Sequence, residues 1–304
     1  MKKNIIYMED CIEGMRRQVK DETVDLLIAD PPYFKVVGQK WDYKWRTEED
    51  YIEWSKKWIK EAFKVLRYGG SLYLFGYFRM LARLIPTLEE NGFKLRQQIV
   101  INKGIQAISG RATKNYKMFP NVTESVLFLV KDPIPFSRKL LKSKQKEIGL
   151  KAKEINELLG VKSNGGGMWS IYTGNNIGAQ LPTKDYWHKL ENILKFNYPY
   201  EKLAITFNTQ LGLTDVWEDI NFYKEKRIHP TQKPLSLIKR LIFTSSNEND
   251  LVLDPFMGSG STAIGCIKTN RTYLGFESDE LYYQKSIERI KEETEQEQLS
   301  LRLL

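Results

Sequence analysis

Apolar positions recur along the chain with two alternating periods. Residues 3–8 form a short apolar run, a helical stretch follows Asp10 to about residue 20, and Val24-Asp25-Leu26-Leu27-Ile28-Ala29 has the length and β-branched content of a buried strand. Tyr51, Trp54, Trp58, Ile59, Ala62, Val65 and Leu66 then return at helical spacing, behind Thr47 as an N-cap with Glu48 and Glu49 in the first turn, until Gly69-Gly70 stops them. Those tryptophans read as core. Strands over 71–76, 95–102 and 124–130, with a helix over 79–91, continue the alternation, which predicts an α/β fold with a doubly wound, mostly parallel sheet. From 132 to 215 the alternation breaks down. Two amphipathic helices, one from Ile148 to a stop at Gly160 and one capped by Thr183 and reaching Leu194, flank Gly165-Gly166-Gly167, an arrangement shared by helix-turn-helix units and plain packing hairpins. Beyond it a strand over 251–253, a helical run to about 268, a strand over 272–276 and a helix over 279–293 restore the pattern. The expected organisation is a discontinuous domain, 1–131 with 216–304, carrying a smaller, mainly helical insertion at 132–215.

Composition narrows the setting. A chain of 304 residues with 41% hydrophobic content can bury a full core, and no run approaches the apolar length of a membrane span. The N-terminus MKKNIIYMED turns acidic before a signal-peptide core could form, so a cytoplasmic protein is expected, with no membrane partner. Cys11 and Cys266 without clustered histidines suit a reducing compartment and offer no metal site. The net charge of +9 is concentrated: residues 94–146 hold twelve Lys or Arg against Glu124 and Asp132, interleaved with Asn115, Tyr116, Phe119 and Phe136. Such a block suits a phosphate backbone, while the same charges would also serve a solvated basic surface.

Two motifs carry candidate chemistry. The first is Asp30-Pro31-Pro32-Tyr33, where the prolines end the strand because proline has no N–H for a ladder and a fixed φ. The motif brings a carboxylate, a stiff backbone and a ring to the carboxyl edge of the sheet, where open α/β folds bind ligands. An ordinary Asp-Pro turn would read the same by itself. After Tyr33, Phe34, Trp41, Tyr43 and Trp45 alternate with lysines in what reads as a loop over the site. The second motif is the glycine-rich turn Asp254-Pro255-Phe256-Met257-Gly258-Ser259-Gly260-Ser261-Thr262, between a strand and a helix, with Glu277 at a strand end 23 residues after Asp254. That layout fits an adenosine-containing ligand whose ribose Glu277 holds. The turn lacks both the three-glycine dinucleotide signature and the P-loop lysine, which disfavours NAD and ATP.

The two motifs in this order, with His229-Pro230-Thr231-Gln232-Lys233-Pro234 before the glycine turn and Gly38 to Asp42 after Tyr33, resemble the β group of S-adenosylmethionine-dependent amino DNA methyltransferases of the DPPY type. The resemblance covers about residues 4–131 and 225–290. It implies a Rossmann-like methyltransferase sheet with an inserted target-recognition domain, acting on double-stranded DNA without a metal. Asp30 and the Pro31 carbonyl would accept the two N–H bonds of an exocyclic amine, Pro32 would stiffen the motif, and Tyr33 would stack on an extruded base. Phe256, Gly258, Ser259 and Gly260 would line the methionine part of S-adenosylmethionine, with Ser261, Thr262, Thr231 and Lys233 toward its carboxylate. Glu277 would hold the ribose, Asp254 and Asp30 would also bind the cofactor, and Asp10 would lie near the adenine or serve as a helix N-cap. DNA contacts would fall to Lys40, Trp41, Lys103, Arg111, Lys114, Asn115, Lys117, Arg138, Lys139, Lys142 and Lys144. Asp at the first motif position resembles the adenine-N6 members, whereas the cytosine-N4 members more often carry Ser; an N4-cytosine enzyme, an RNA methyltransferase and a non-catalytic nucleic-acid binder stay as alternatives. The resemblance further raises a restriction-modification setting, a cognate restriction endonuclease and a homodimer.

Overall fold

The computed structural model describes residues 1–34, 44–108, 119–161, 167–225, 227–229 and 231–302. The chain forms two compact units, Met1–Lys131 with Ile205–Leu304, and Asp132–Ala204.

The larger unit runs β1 (Ile5–Met8), α1 (Cys11–Gln18), β2 (Val24–Ala29), α2 (Glu48–Val65), β3 (Leu66–Gly76), α3 (Phe78–Glu90), β4 (Phe93–Asn102) and β5 (Thr123–Lys131). After the smaller unit it resumes with β6 (Val216–Trp217), α8 (Leu235–Ser245), β7 (Leu251–Asp254), α9 (Ser261–Ile267), β8 (Thr272–Glu277) and α10 (Glu280–Arg302). Eight strands make one sheet in the order β1-β8-β7-β2-β3-β5-β4-β6, parallel throughout except that β5 runs against both its neighbours. Every residue of β2 except Asp25 is buried, which is why the strand reads as a continuous apolar run: Leu27 and Ala29 pack on one face with Trp58 and Leu84, Leu26 and Ile28 on the other with Ile238 and Ile264.

The connections leave β2 and β7 in opposite directions. From β2 the chain crosses through α2 on one face to β3, and from β7 through α9 on the other face to β8. Between two adjacent parallel strands with diverging connections the carboxyl ends leave a crevice. Asp30 and Asp254 stand at its two sides. At the amino ends Asp25 ties the same strands together, accepting Arg67 Nε at 2.7 Å and Leu251 N at 2.9 Å.

Several expected boundaries move. Ile148 is the last residue of a helix, α4 (Pro133–Ile148), rather than the first of the next one: Asp132 caps it through Ile134 N at 3.0 Å, and Gly149 ends it at φ 79°. The following helices of the smaller unit are α5 (Ala152–Leu158), α6 (Gly167–Thr173) and α7 (Lys184–Leu194), with Trp187 fully buried and its indole donating to Tyr198 O at 2.7 Å. That unit ends at Ala204, not 215, because the intervening strip is bonded to the larger unit: Asp215 O accepts Val100 N at 2.8 Å, and Asn208 N donates to Thr244 O at 2.7 Å. Helix α8, unforeseen, follows Pro234 with Leu237, Ile238, Leu241 and Ile242 buried at helical spacing. Lys131, counted within the basic block, is buried, its ammonium on Phe63 O and Leu66 O at 2.7 and 2.8 Å and over the Phe63 ring; burial lowers its pKa to about 8. Among the described residues no helix is long and apolar enough to cross a membrane, and no cluster of three or more His, Cys, Asp or Glu could hold a metal ion.

The seat of α1 on β8 gives a direct test of this packing. A Cβ on Gly14 would lie 2.4 Å from two carbons of the buried Phe276 ring. Overpacking costs ~1–3 kcal/mol, whereas alanine gains at most ~1 kcal/mol of helix propensity. Gly14→Ala should therefore lower unfolding free energy by up to about 2 kcal/mol in a denaturant titration; a raised midpoint contradicts the packing.

Candidate active site

The Asp30 side of the crevice is a buried network of charges. Asp30 Oδ2 accepts Lys233 Nζ at 2.7 Å, and Oδ1 lies 2.9 Å from the Tyr33 hydroxyl. The same hydroxyl is 2.7 Å from Glu124 Oε1, and Lys103 Nζ donates to Glu124 Oε2 at 3.1 Å. Lys233 Nζ is also 3.6 Å from Glu124 and stands over the Phe75 ring at 5.1 Å, with its side chain only 7% exposed. Strand polarity explains the meeting. Because β5 is antiparallel to β3 and β4, Glu124 at its beginning falls at the edge where β3 and β4 end, opposite Ile101 and next to Ser125, which pairs with Gly76.

Burial pushes the Asp30 carboxyl above the usual range against the opposing pull of Lys233. For Lys233 the balance goes the other way: burial alone would lower the ammonium, but Asp30 and Glu124 outweigh it and hold it above its ordinary value. Burial would likewise raise Glu124, and Lys233 with Lys103 outweighs it and leaves that carboxyl below the usual range. Burial, then the two carboxylates, raise the Tyr33 phenol, which stays protonated.

On the other side, carboxylates hold the glycine turn from within. Asp254 accepts Phe256 N at 2.9 Å and the Thr262 hydroxyl at 2.5 Å, and burial pushes its pKa up to about 7. Glu277 accepts Gly258 N and Asp279 N, each at 2.8 Å, and burial raises it too. A carboxylate has about four acceptor positions, so two remain for ribose hydroxyls. Gly258 has φ 51°, and a Cβ there would meet no atom closer than 3.8 Å, so the backbone lies bare; Gly260, at φ 77°, caps α9. Behind the turn, Arg289 on α10 donates to Ser259 O and to Ser261 Oγ, both at 3.0 Å.

A cavity of about 280 Å³ joins the two motifs. Its wall includes Pro31, Pro32, Tyr33, Trp45, Trp54, Phe75, Phe256 and Tyr282, and six carboxyl groups (Glu9, Asp10, Asp30, Asp254, Glu277, Asp279) against the cations Lys44 and Lys233. His229 also lines it, with burial first and Lys233 second bringing its pKa down to about 4, so the imidazole is neutral at pH 7. A wall with this excess of carboxylates attracts a cation and repels phosphate.

Not every expected residue does what the sequence suggested. Asp10 is exposed and caps α1 through Ile12 N at 2.9 Å while also lining the cavity. Lys233, expected at a cofactor carboxylate, instead spends its ammonium on Asp30; the Ser261 hydroxyl donates to Lys233 O at 3.1 Å, the Thr262 hydroxyl to Asp254, and Thr231 pairs with His229 Nδ1. Trp54, expected in the core, lines the cavity, whereas Trp58 is fully buried with its ring edge-on to Phe256 at 5.4 Å. Lys103, expected on DNA, pairs with Glu124. Arg138 donates to Gly174 O and Asn175, and Lys144 to Glu147, while Lys139 and Lys142 are exposed on α4. Lys40, Trp41, Arg111, Lys114, Asn115 and Lys117 lie outside the described residues. Glu124 and Arg289 were missed; the one available signal was that Glu124 is one of only two acids in a strongly basic block and stands at the start of a strand.

A family model described as DNA methylase, spanning N6 and N4 methyltransferases, matches residues 24–288. The chain belongs to this DNA methylase family. It is an S-adenosylmethionine-dependent DNA methyltransferase by that membership, and the crevice fits the cofactor: bare glycine backbone, aromatic walls, a carboxylate with free acceptor positions and a negative surround for a sulfonium. The chain is similar to the type II methyltransferase M.HinfI of Haemophilus influenzae, 25% identical over 95% of this chain and 68% of that protein. It is also similar to the DNA adenine methyltransferase YhdJ of Escherichia coli (strain K12), 26% identical over 90% of this chain and 78% of that protein. It shares its fold with the crystal structure of the M1.HpyAVI–SAM complex, at 23% identity and a TM-score of 0.54 over 93% of this chain and 98% of that one.

The neutral His229 of this methylase carries a pH test. Its folded pKa, about 4, lies below the model-peptide value of 6.5, so the unfolded chain binds more protons between the two. Its contribution is present above about pH 6.5 and lost as pH falls toward 4. His229→Gln should unfold with a shallower loss of stability across that window than the parent; parallel curves contradict the assignment.

Proposed function

We propose that the chain methylates the N6 amino group of adenine in double-stranded DNA, at specific sites, in the cytoplasm and as the modification half of a restriction-modification pair. The observation that carries the reading is the half-buried Asp30 carboxylate, followed by the stiff Pro31-Pro32 backbone, on the wall of a carboxylate-rich cavity beside the glycine turn. An exocyclic amine is a weak nucleophile because its lone pair is delocalised into the ring. Asp30 and the Pro31 carbonyl, accepting its two N–H bonds, would favour a pyramidal nitrogen with its lone pair directed away from the ring. S-adenosylmethionine supplies the electrophilic methyl group. The Tyr33 ring, its hydroxyl anchored between Asp30 and Glu124, gives a fixed face for an extruded base.

Adenine is favoured over cytosine by Asp at the first motif position and by the similarity to a relative described as a DNA adenine methyltransferase. The smaller unit would read the target sequence, with Lys139 and Lys142 on α4 toward phosphates. A restriction endonuclease of matching specificity and a second copy of the chain complete the set of partners in this reading; the similarity to a type II methyltransferase supports the first.

DNA incubated with the protein and methyl-labelled cofactor, then digested to nucleosides, should yield N6-methyladenine. Asp30→Ala should abolish the product, a loss of roughly 100-fold or more. Label appearing only as N4-methylcytosine, or near-normal turnover by Asp30→Ala, overturns the proposal.

A further inference from the structure

We propose that Glu124 is a positioning residue that draws the proton lost by the methylated amine away from Asp30 through the Tyr33 hydroxyl. The inference rests on the reading of Asp30 as the acceptor for a target amine. Its foundation is a proton count. The Tyr33 hydroxyl has one proton, yet its oxygen lies 2.9 Å from Asp30 Oδ1 and 2.7 Å from Glu124 Oε1. Carboxylates are acceptors only, so with both ionised just one of the two contacts is a hydrogen bond. One additional proton satisfies both. The cluster is thus built to take up a proton, and the reaction produces one beside it.

The amine nitrogen forms a bond to the methyl carbon while the carbon–sulfur bond breaks with its electron pair on sulfur, which leaves the nitrogen with four bonds and a positive charge. One N–H bond then breaks with its pair kept by nitrogen, and the proton passes to Asp30. The oxygen Oδ2 faces the Lys233 ammonium, which has only donors, so the outlet is Oδ1. Tyr33 accepts there while its own proton moves to Glu124 Oε1. The Glu124 side chain is itself 10% exposed, beside the 24% exposed side chain of Lys103, and the proton leaves Glu124 to water at that opening. The groups facing Glu124 come from every neighbouring element: Tyr33 and Asp30 after β2, Lys103 after β4 and Lys233 before α8, with Asp30 acting in turn on Asp254 after β7. The two lysines keep Glu124 ionised, so it is empty before the step and does not retain the proton after it.

A single-turnover and steady-state comparison of methyl transfer to DNA decides the matter, with the parent, Glu124→Gln and Tyr33→Phe measured across neutral and alkaline pH. The parent should show a flat profile. Glu124→Gln should be slower by roughly 10-fold or more near neutrality, rise with pH, and regain rate with added imidazole buffer, since the proton must then leave to an external base. Glu124→Asp should restore the flat profile. Cofactor affinity of Glu124→Gln should match the parent. A flat profile for Glu124→Gln, whether at full rate or uniformly reduced, overturns the relay. Should that variant fail to fold, Tyr33→Phe carries the same test: a profile rising with pH supports the relay, a flat one refutes it. A parent that transfers no label to DNA refutes the functional reading itself, a result separate from any outcome of the variants.

Discussion

A carboxylate buried at the end of a parallel strand needs a cation, and in this chain that need joins segments two hundred residues apart. Asp30 cannot stay ionised at the β2 edge without Lys233, and Lys233 cannot stay buried without Asp30 and Glu124. Removing one member of such a pair strands the other, at a cost of ~3–5 kcal/mol. The segment that delivers Lys233 is itself pinned to the glycine turn, because the Ser261 hydroxyl donates to Lys233 O. The catalytic motif, the segment before α8 and the cofactor turn are therefore parts of one bonded object.

The glycine turn follows a related economy. Asp254 and Glu277 end adjacent strands and satisfy the turn's own N–H and hydroxyl groups, so its shape is set before any ligand arrives. Their negative charge, with that of Asp30, then selects what enters. A sulfonium is welcome in such a crevice and a diphosphate is not, which separates this use of a doubly wound sheet from nucleotide-binding ones at the level of electrostatics rather than topology.

Much of this was legible in the residues. Uninterrupted apolar strands, capped helices and glycine stops located nearly all of the larger unit, and Asp30, Tyr33, Asp254 and Glu277 stand where their motifs put them, at strand ends around one crevice. What escaped depends on pairing rather than pattern. Glu124 reaches Tyr33 and Lys233, and Lys103 reaches Glu124, only because β5 is antiparallel between β3 and β4, and no local period announces that order. Lysines look alike in a charge count, so Lys131 under two aromatic rings and Lys103 against a carboxylate were indistinguishable from the exposed Lys139 and Lys142. The start of the smaller unit at Asp132 was visible where the strand–helix alternation stops; its end at Ala204 was not, because the strip after it is held by bonds to β4 and α8.

Asp30 and Lys233 act as one unit. A double-mutant cycle on the single-turnover rate of methyl transfer, with Asp30→Asn, Lys233→Met and the pair, measures it directly. If the two side chains work only together, each single variant loses most of the rate and the double variant loses little more than the worse of them. Losses that multiply, as for independent residues, would contradict the account.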